Sequence, residues 1–306
     1  MKRLWLTGAD GFVGQHVARA IAAAPSQAIS LVSAASPLEL RDGASVDRVV
    51  EHVLRDGADW VLHLAAMSFV PDSIRDPETC FDVNLMGTVR LLNALVRHGF
   101  KGRFLYVSSA DVYGATNESA MPLTEASPTL PRNPYAASKL AAEAASLQQY
   151  RAGLIDVVVA RPFNHIGTGQ RADFVVPSVA RQLALIARGE QPATIRLGDT
   201  SVTRDFSDVR DIVAAYLALL QSGRSGDIYN VCSGQERRVA DVVARLVALS
   251  GCNAVIESDS ARLRPGEQRR AVGACDRLRR DTAWSIRCEW DDTLNTILED
   301  WKQRLT

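Results

Sequence analysis

Lys2-Arg3-Leu4-Trp5-Leu6-Thr7-Gly8-Ala9-Asp10-Gly11-Phe12-Val13-Gly14 reads as a short apolar strand, a glycine-punctuated turn and the start of a helix. Gly8, Gly11 and Gly14 stand at GxxGxxG spacing. Such a turn lets a pyrophosphate reach the backbone N–H groups at the positive end of the helix, here those of Phe12, Val13 and Gly14. Glycine also marks ordinary tight turns, but a strand just before and a helix just after favour dinucleotide binding.

The same alternation continues outward. Apolar strands are expected near 2–7, 28–33, 59–65, 103–108 and 155–160. Between them Val13, Val17, Ala20, Ile21 and Ala24, and then Val83, Met86, Gly87, Leu91, Ala94 and Leu95, recur at helical spacing. This is the form of repeated βαβ units, so the fold class expected is α/β: a Rossmann-type doubly wound parallel sheet with a smaller, irregular α/β substrate-binding domain on the C-terminal side. The rhythm breaks after Arg161-Pro162, which divides the chain into 1–161 for the dinucleotide and 162–306 for the substrate. A helix near 208–221 and a strand near 227–232 make a return segment around 205–232, and Trp290, Leu294, Ile297, Leu298 and Trp301 mark a packed C-terminal helix.

Composition narrows the function. The 306 residues carry 35 basic and 35 acidic side chains, a balance that points to neither a nucleic-acid partner nor a membrane surface. Cys80, Cys232, Cys252, Cys275 and Cys288 form no CxxC pair, which argues against a disulfide framework or a zinc site and suits a reducing cytoplasm. The apolar run before Gly8 is too short for a secretion signal, and no stretch is long enough to cross a bilayer.

Tyr135-Ala136-Ala137-Ser138-Lys139 places a phenol and an ammonium four residues apart on one helix face. A nearby cation favours the ionised phenol, so Tyr135 is expected to be acidified by Lys139 and to exchange a proton near neutral pH. YxxxK alone also arises by chance. Phe104-Leu105-Tyr106-Val107-Ser108-Ser109 is a buried strand that ends in hydroxyls at the edge where open α/β sheets bind ligands. Ser109 there either hydrogen-bonds the reacting oxygen or serves as a turn residue. The position that selects the cofactor, about 20 residues past the glycine turn, reads Leu31-Val32-Ser33-Ala34-Ala35-Ser36. It has no carboxylate to repel a 2′-phosphate and no arginine to attract one, so NADP(H) is favoured and NAD(H) is the alternative.

Taken together, these segments resemble the extended short-chain dehydrogenases/reductases that act on nucleotide sugars. Within them the chain is most similar to the GDP-4-keto-6-deoxy-D-mannose reductases that make GDP-D-rhamnose. The likeness is carried by Phe104 to Ser109, Arg132-Asn-Pro-Tyr-Ala-Ala-Ser-Lys139, Ala160-Arg-Pro-Phe-Asn-His-Ile-Gly167 and Tyr229-Asn-Val-Cys-Ser-Gly-Gln235. The resemblance implies a Ser109, Tyr135 and Lys139 triad, with Tyr135 giving a proton to the sugar oxygen as hydride is delivered. It implies that Glu39 and Leu40 hold the adenine, and that Leu64, Ala65 and Ala66 pass under the cofactor. Asn84 would stand at the active-site rim, while Pro162 and Asn164 flank the nicotinamide and the sugar diphosphate.

Related 4,6-dehydratases need an acid and a base beside the catalytic hydroxyl, whereas this chain has Ser109-Ala110-Asp111. Alanine transfers no proton, so reduction is favoured over elimination, although Asp111 keeps a carboxylate near the site. Arg204, in Arg-Asp-Phe, and Arg264, in Arg-Pro-Gly-Glu, offer guanidinium forks to the diphosphate, and Glu267 an acceptor for a ribose hydroxyl. His165 is either a substrate contact or a hydrogen-bonded core residue, and Phe174-Val175 either approaches the guanine or only packs. A GDP-linked 4-keto-6-deoxy sugar is the expected substrate. The alternatives are a 4-epimerase or dehydratase of the same family, or a noncatalytic dinucleotide sensor. By the same resemblance a homodimer is expected through helices near 77–98 and 135–150, where Ala141, Ala142, Ala144 and Ala145 permit close packing.

Overall fold

The computed structural model of the protein describes residues 1–24, 28–34, 36–114, 116–259 and 268–306. Its strands are β1 (Lys2–Thr7), β2 (Ile29–Val32), β3 (Trp60–His63), β4 (Arg103–Val107), β5 (Asp156–Pro162) and β6 (Asn164–Ile166). They continue with β7 (Thr194–Leu197), β8 (Thr203–Asp208), β9 (Ile228–Val231), β10 (Glu236–Arg238) and β11 (Val255–Ser258). The helices are α1 (Phe12–Ala23), α2 (Gly43–Arg55), α3 (Val70–Arg75), α4 (Pro77–Phe81), α5 (Gly87–Arg97) and α6 (Pro134–Arg151). After them come α7 (Val175–Ala187), α8 (Val209–Ser222), α9 (Val239–Ser250), α10 (Asp276–Thr282) and α11 (Trp290–Arg304).

Six strands pair in parallel in the order β2-β1-β3-β4-β5-β9. Successive side chains of a strand point to opposite faces, and here both sets are apolar, so both faces must be covered. Leu4, Leu6, Leu62, Leu105 and Val158 face Val17 and Ile21 of α1 and Ile212 and Tyr216 of α8. Trp5, Val61, Phe104, Tyr106 and Val159 face Val46 and Val50 of α2, Leu91 and Leu95 of α5 and Ala142 of α6. The strand order reverses between β1 and β3, and a crevice therefore opens beyond their carboxyl ends. Helix α8 packs on this sheet and β9 pairs with β5, so the chain returns to the first layer before α9.

A second core lies beyond β5. Val179 and Leu183 of α7, Val243 and Leu246 of α9 and Ile297 and Trp301 of α11 pack around Ile195, Leu197 and Phe206. A three-stranded sheet in the order β10-β8-β6 joins the two cores. Among the described residues no helix is long and apolar enough to cross a membrane.

Asp205 of β8 ties the two parts together. It is fully buried and accepts hydrogen bonds from Ser233 N–H (2.8 Å), Ser233 Oγ (2.6 Å), Gly234 N–H (2.9 Å) and Gly273 N–H (3.3 Å). Removing it strands buried donors from two loops, and each such loss costs about 1–3 kcal/mol. Asp205→Ala is therefore expected to destabilise the protein by roughly 3–5 kcal/mol, within the range for breaking a buried network. Urea unfolding of the two proteins measures it, and a loss below about 1 kcal/mol would contradict this account.

Candidate active site

The glycine turn sits at the carboxyl end of β1. Gly8 has φ +72°, and a Cβ there would stand 2.9 Å from the Ala65 nitrogen, so only glycine lets the turn lie against the end of β3. At Gly14 a Cβ would collide with the Gly8 and Ala9 carbonyl oxygens. The Gly11 N–H closes the turn onto Gly8 O at 3.1 Å, and the first helical bond is Gln15 N–H to Gly11 O at 3.0 Å. The N–H groups of Phe12, Val13 and Gly14 thus precede the hydrogen-bonded turns of α1, whose first turn holds no acidic residue and whose N-cap glycine provides no side-chain cap. This is a cradle for an anion, and a dinucleotide pyrophosphate fits its chemistry.

Across the crevice, Ser109 follows β4 and caps a short 3₁₀ turn over Ala110–Tyr113, its Oγ accepting from Asp111 N–H at 3.1 Å. Helix α6 begins at Pro134 behind Asn133, whose side chain accepts from Ala136 N–H at 2.8 Å. That start fixes Tyr135 in the first turn. The Ser109 hydroxyl stands near enough to the Tyr135 phenol to favour its ionised form, and the Tyr135 N–H donates to Ser73 Oγ at 3.3 Å. Lys139 is one turn on, 4% exposed, with Nζ 4.9 Å from the centre of the Tyr106 ring.

The electrostatics correct one expectation. The Tyr135 phenol is raised above its ordinary value, first by burial and then by the Asp111 carboxylate, and only the Ser109 hydroxyl pulls it down among the leading influences. Lys139 is not among those influences, because burial pushes the ammonium itself down to about 7. Desolvation thus outweighs the cation's attraction, and Tyr135 keeps its proton at neutral pH.

His63 at the end of β3 is buried and held neutral, its pKa lowered to about 3 by burial and then by Lys139. Its Nδ1 lies 2.7 Å from Thr7 Oγ1 and its Nε2 3.0 Å from Thr88 Oγ1. Thr88 spends its hydroxyl proton on Asn84 O at 2.7 Å, so Nε2–H donates to Thr88 and Nδ1 accepts from Thr7. Thr7 Oγ1 in turn accepts from Ala65 N–H at 3.3 Å, which orients the segment after β3.

Asn84, expected at the rim, turns inward instead. It is 2% exposed, and Oδ1 accepts from Met67 N–H at 2.8 Å while Nδ2 donates to Met67 O and Ser138 Oγ, both at 3.0 Å. Residues Asp82–Met86 form a π-helical turn between α4 and α5, which helical periodicity alone did not reveal. Its extra residue per turn aims Asn84 at the 66–69 segment and α6, so Asn84 braces the site rather than facing a ligand.

The remaining expected residues spread along the crevice. Leu64, Ala65 and Ala66 are half-buried and Pro162 is buried at the end of β5, while Asn164 is exposed at the start of β6. Glu39 is exposed and accepts from Arg41 N–H at 3.0 Å. Leu40 is 5% exposed and packs into the core, where Gly87 leaves room for its Cβ. Arg204 is half-buried and donates to Thr203 O at 2.8 Å. Arg264 and Glu267 lie outside the described residues. His165 Nδ1 donates to Phe163 O at 3.0 Å, and its ring stacks on Phe12 with centroids 6.1 Å apart, so it fastens the cofactor turn to the loop after β5. Phe174 meets Phe69 edge-on at 5.8 Å, a contact across the crevice that no sequence motif announced. Glu143, one turn beyond Lys139, was also missed, although its i, i+4 spacing from the lysine repeats that of Tyr135.

The profile of the GDP-mannose 4,6 dehydratase family matches residues 34–297. The chain is 42% identical over 304 residues to a GDP-6-deoxy-D-mannose reductase of Pseudomonas aeruginosa, covering 99% of this chain and 98% of that protein. It is 30% identical to a UDP-glucose 4-epimerase of Azospirillum brasilense, over 99% of this chain and 92% of that one. A solved structure of RMD from Pseudomonas aeruginosa complexed with NADPH superposes with a TM-score of 0.93 at 42% identity, covering 99% of this chain and all of that chain. On the glycine cradle, the Ser109–Tyr135–Lys139 arrangement and these likenesses, the chain belongs to the extended short-chain dehydrogenase/reductase family, among its nucleotide-sugar members.

Proposed function

We propose that this protein reduces the 4-keto group of GDP-4-keto-6-deoxy-D-mannose to GDP-D-rhamnose with NADP(H), NAD(H) being the alternative cofactor. One observation carries the choice of reduction: the Ser109 hydroxyl acts on the Tyr135 phenol at the sheet edge, while the adjacent Ala110 packs against the core with only a methyl group. A ketone awaiting reduction needs one proton donor, and elimination needs an acid and base pair as well. The alternative reading as a dehydratase rests on Asp111, whose charge reaches Tyr135.

Gly8, Gly11, Phe12, Val13 and Gly14 would hold the pyrophosphate, Glu39 and Leu40 the adenine side, and Leu64, Ala65, Ala66 and Pro162 the face beneath the nicotinamide. Ser33 and Ala34 after β2 bring no carboxylate against a 2′-phosphate. When bound, the reduced nicotinamide supplies a hydride to the carbonyl carbon at C4. Ser109 orients the carbonyl oxygen by hydrogen bonding, and Tyr135 gives that oxygen its phenolic proton. A phenol raised by burial retains that proton until the carbonyl oxygen gains charge, and Lys139 then steadies the phenolate left behind. Asn164 and Arg204 belong to the sugar-diphosphate end in this reading, with Arg264 and Glu267.

The reading extends to a homodimer formed through α4, α5 and α6. Support comes from Met86, 43% exposed in the turn between α4 and α5. Of the four alanines expected to pack there, Ala144 is exposed, whereas Ala142 is spent on the chain's own core. A place in the cytoplasm agrees with five free thiols.

Incubation with the GDP-4-keto-6-deoxy sugar and NADPH should consume one reduced nicotinamide per sugar, and a rearranged product without that consumption overturns the proposal. Tyr135→Phe should lower kcat by about 10²–10⁴-fold with NADPH affinity retained, as for loss of a general acid. In the parent, kcat/KM should fall as pH rises through about 7, because Lys139 then loses the proton that makes it a cation. A profile flat from about pH 6 to 9 contradicts that role for the free enzyme. Gly14→Ala should weaken NADPH binding at least roughly tenfold, or about 1.4 kcal/mol, by pushing the turn open, and fluorescence titration measures it.

A further inference from the structure

Tyr135, Lys139 and Glu143 follow one another at four-residue steps on α6, and Lys139 and Glu143 lie on its buried face, 4% and 3% exposed. Glu143 is gripped by Arg161 of β5, with Nε 3.0 Å from Oε2 and Nη2 2.5 Å from Oε1. Arg161 is itself fixed. Its Nη1 donates to the Tyr113 hydroxyl at 3.1 Å, and Tyr113 donates to Asn230 Oδ1 at 2.6 Å, whose amide is anchored on Leu123 O at 2.9 Å. A forked ion pair this deep is an inefficient way to stabilise a fold, because apolar side chains of like volume do as well without desolvating two charges.

We propose that Glu143, held by Arg161, is a positioning residue that keeps the Lys139 ammonium charged and in place beside Tyr135. The groups around the lysine leave it this role. From β3 comes neutral His63, and from α4 the buried Cys80 thiol, itself raised by desolvation. From β4 comes the Tyr106 ring, whose hydroxyl is also raised and donates to Lys139 O at 3.3 Å. From α6 itself come Tyr135, which keeps its proton, and Glu143, and from β5 comes Arg161. Burial lowers the lysine while Cys80 and then Glu143 favour its charged form, and of these groups Glu143 alone is a carboxylate. Arg161 in turn aligns the carboxylate by donating to both of its oxygens, so that a buried charge has its partner. The pair thus lies behind the catalytic face, on the line from Tyr135 through Lys139 into the protein.

This inference rests on the Ser109–Tyr135–Lys139 reading, and its test separates the two. The chain has four lysines, Lys2, Lys101, Lys139 and Lys302, and of these only Lys139 is buried. Protein labelled with ¹³C at the lysine ε-carbon therefore gives one resonance that titrates apart from three exposed ones. In Glu143→Gln the Lys139 titration should move down by at least about one pH unit, a tenfold loss of proton affinity, with the alkaline limb of kcat/KM moving with it. Glu143→Asp should recover part of the shift. If Glu143→Gln does not fold, Glu143→Asp is read against the parent, and its withdrawn carboxylate should lower the Lys139 titration by a smaller but measurable amount. A folded variant whose Lys139 titrates as in the parent overturns the proposal. If the shift appears while the parent consumes no reduced nicotinamide with the GDP sugar, the positioning role stands and the assigned reaction falls.

Discussion

Helix α6 turns charged side chains toward the sheet, and that constraint shapes everything around it. A lysine without water must find compensation in the protein, and the fold supplies an aromatic face at Tyr106 and a carboxylate at Glu143. The carboxylate then needs Arg161, the guanidinium needs the Tyr113 hydroxyl, and Tyr113 needs Asn230. Each partner sits on a different element: α6, β5, the 3₁₀ turn after β4 and β9. Burying one cation therefore fixes the relative positions of the elements that carry the chemistry, and fixes them at the carboxyl edge of the sheet.

A second chain of hydrogen bonds does the same for the opposite wall. Ala65, Thr7, His63, Thr88 and Asn84 are linked in sequence from β1 and β3 to the π turn, and Asn84 passes the constraint to Ser138 of α6. The two walls meet in α6. With His63 held neutral, this chain adds no cation beside Lys139, and Coulombic repulsion does not aggravate the cost of burying it. The strand-to-helix register of Gly8 against Ala65 depends on the same alignment, so the cofactor turn and the proton donor share a common frame.

Much of this was legible in the residues. Alternating apolar strands and helical stripes revealed the doubly wound sheet, because burial on both faces leaves continuous apolar runs such as Trp60–His63 and Phe104–Val107. The glycine turn, Ser109 and the Tyr135/Lys139 spacing were visible because their chemistry demands particular residue types at fixed offsets. What escaped was depth. Periodicity treats Lys139 and Glu143 as a polar stripe that ought to face water, and nothing local says that the stripe is covered by β4 and β5. The π turn escaped because one extra residue per turn leaves the apolar spacing of Val83, Leu91 and Leu95 intact while swinging Asn84 inward. The acidified tyrosine was a mistaken expectation for the same reason: a cation four residues away was weighed, but not the desolvation of phenol and ammonium alike.

That correction bears on the direction of the chemistry. A tyrosine acidified by its neighbour would stand partly ionised at neutral pH and serve as readily to remove a proton from an alcohol as to give one to a ketone. Burial and the nearby Asp111 carboxylate instead hold Tyr135 protonated, which disfavours the ionised form needed for oxidation and favours the donor form needed for reduction. Asp111 is exposed, and its charge reaches Tyr135. In a site whose neighbouring position 110 is an alanine, the same carboxylate that would suggest elimination becomes a reason for the phenol to keep its proton until a carbonyl oxygen asks for it.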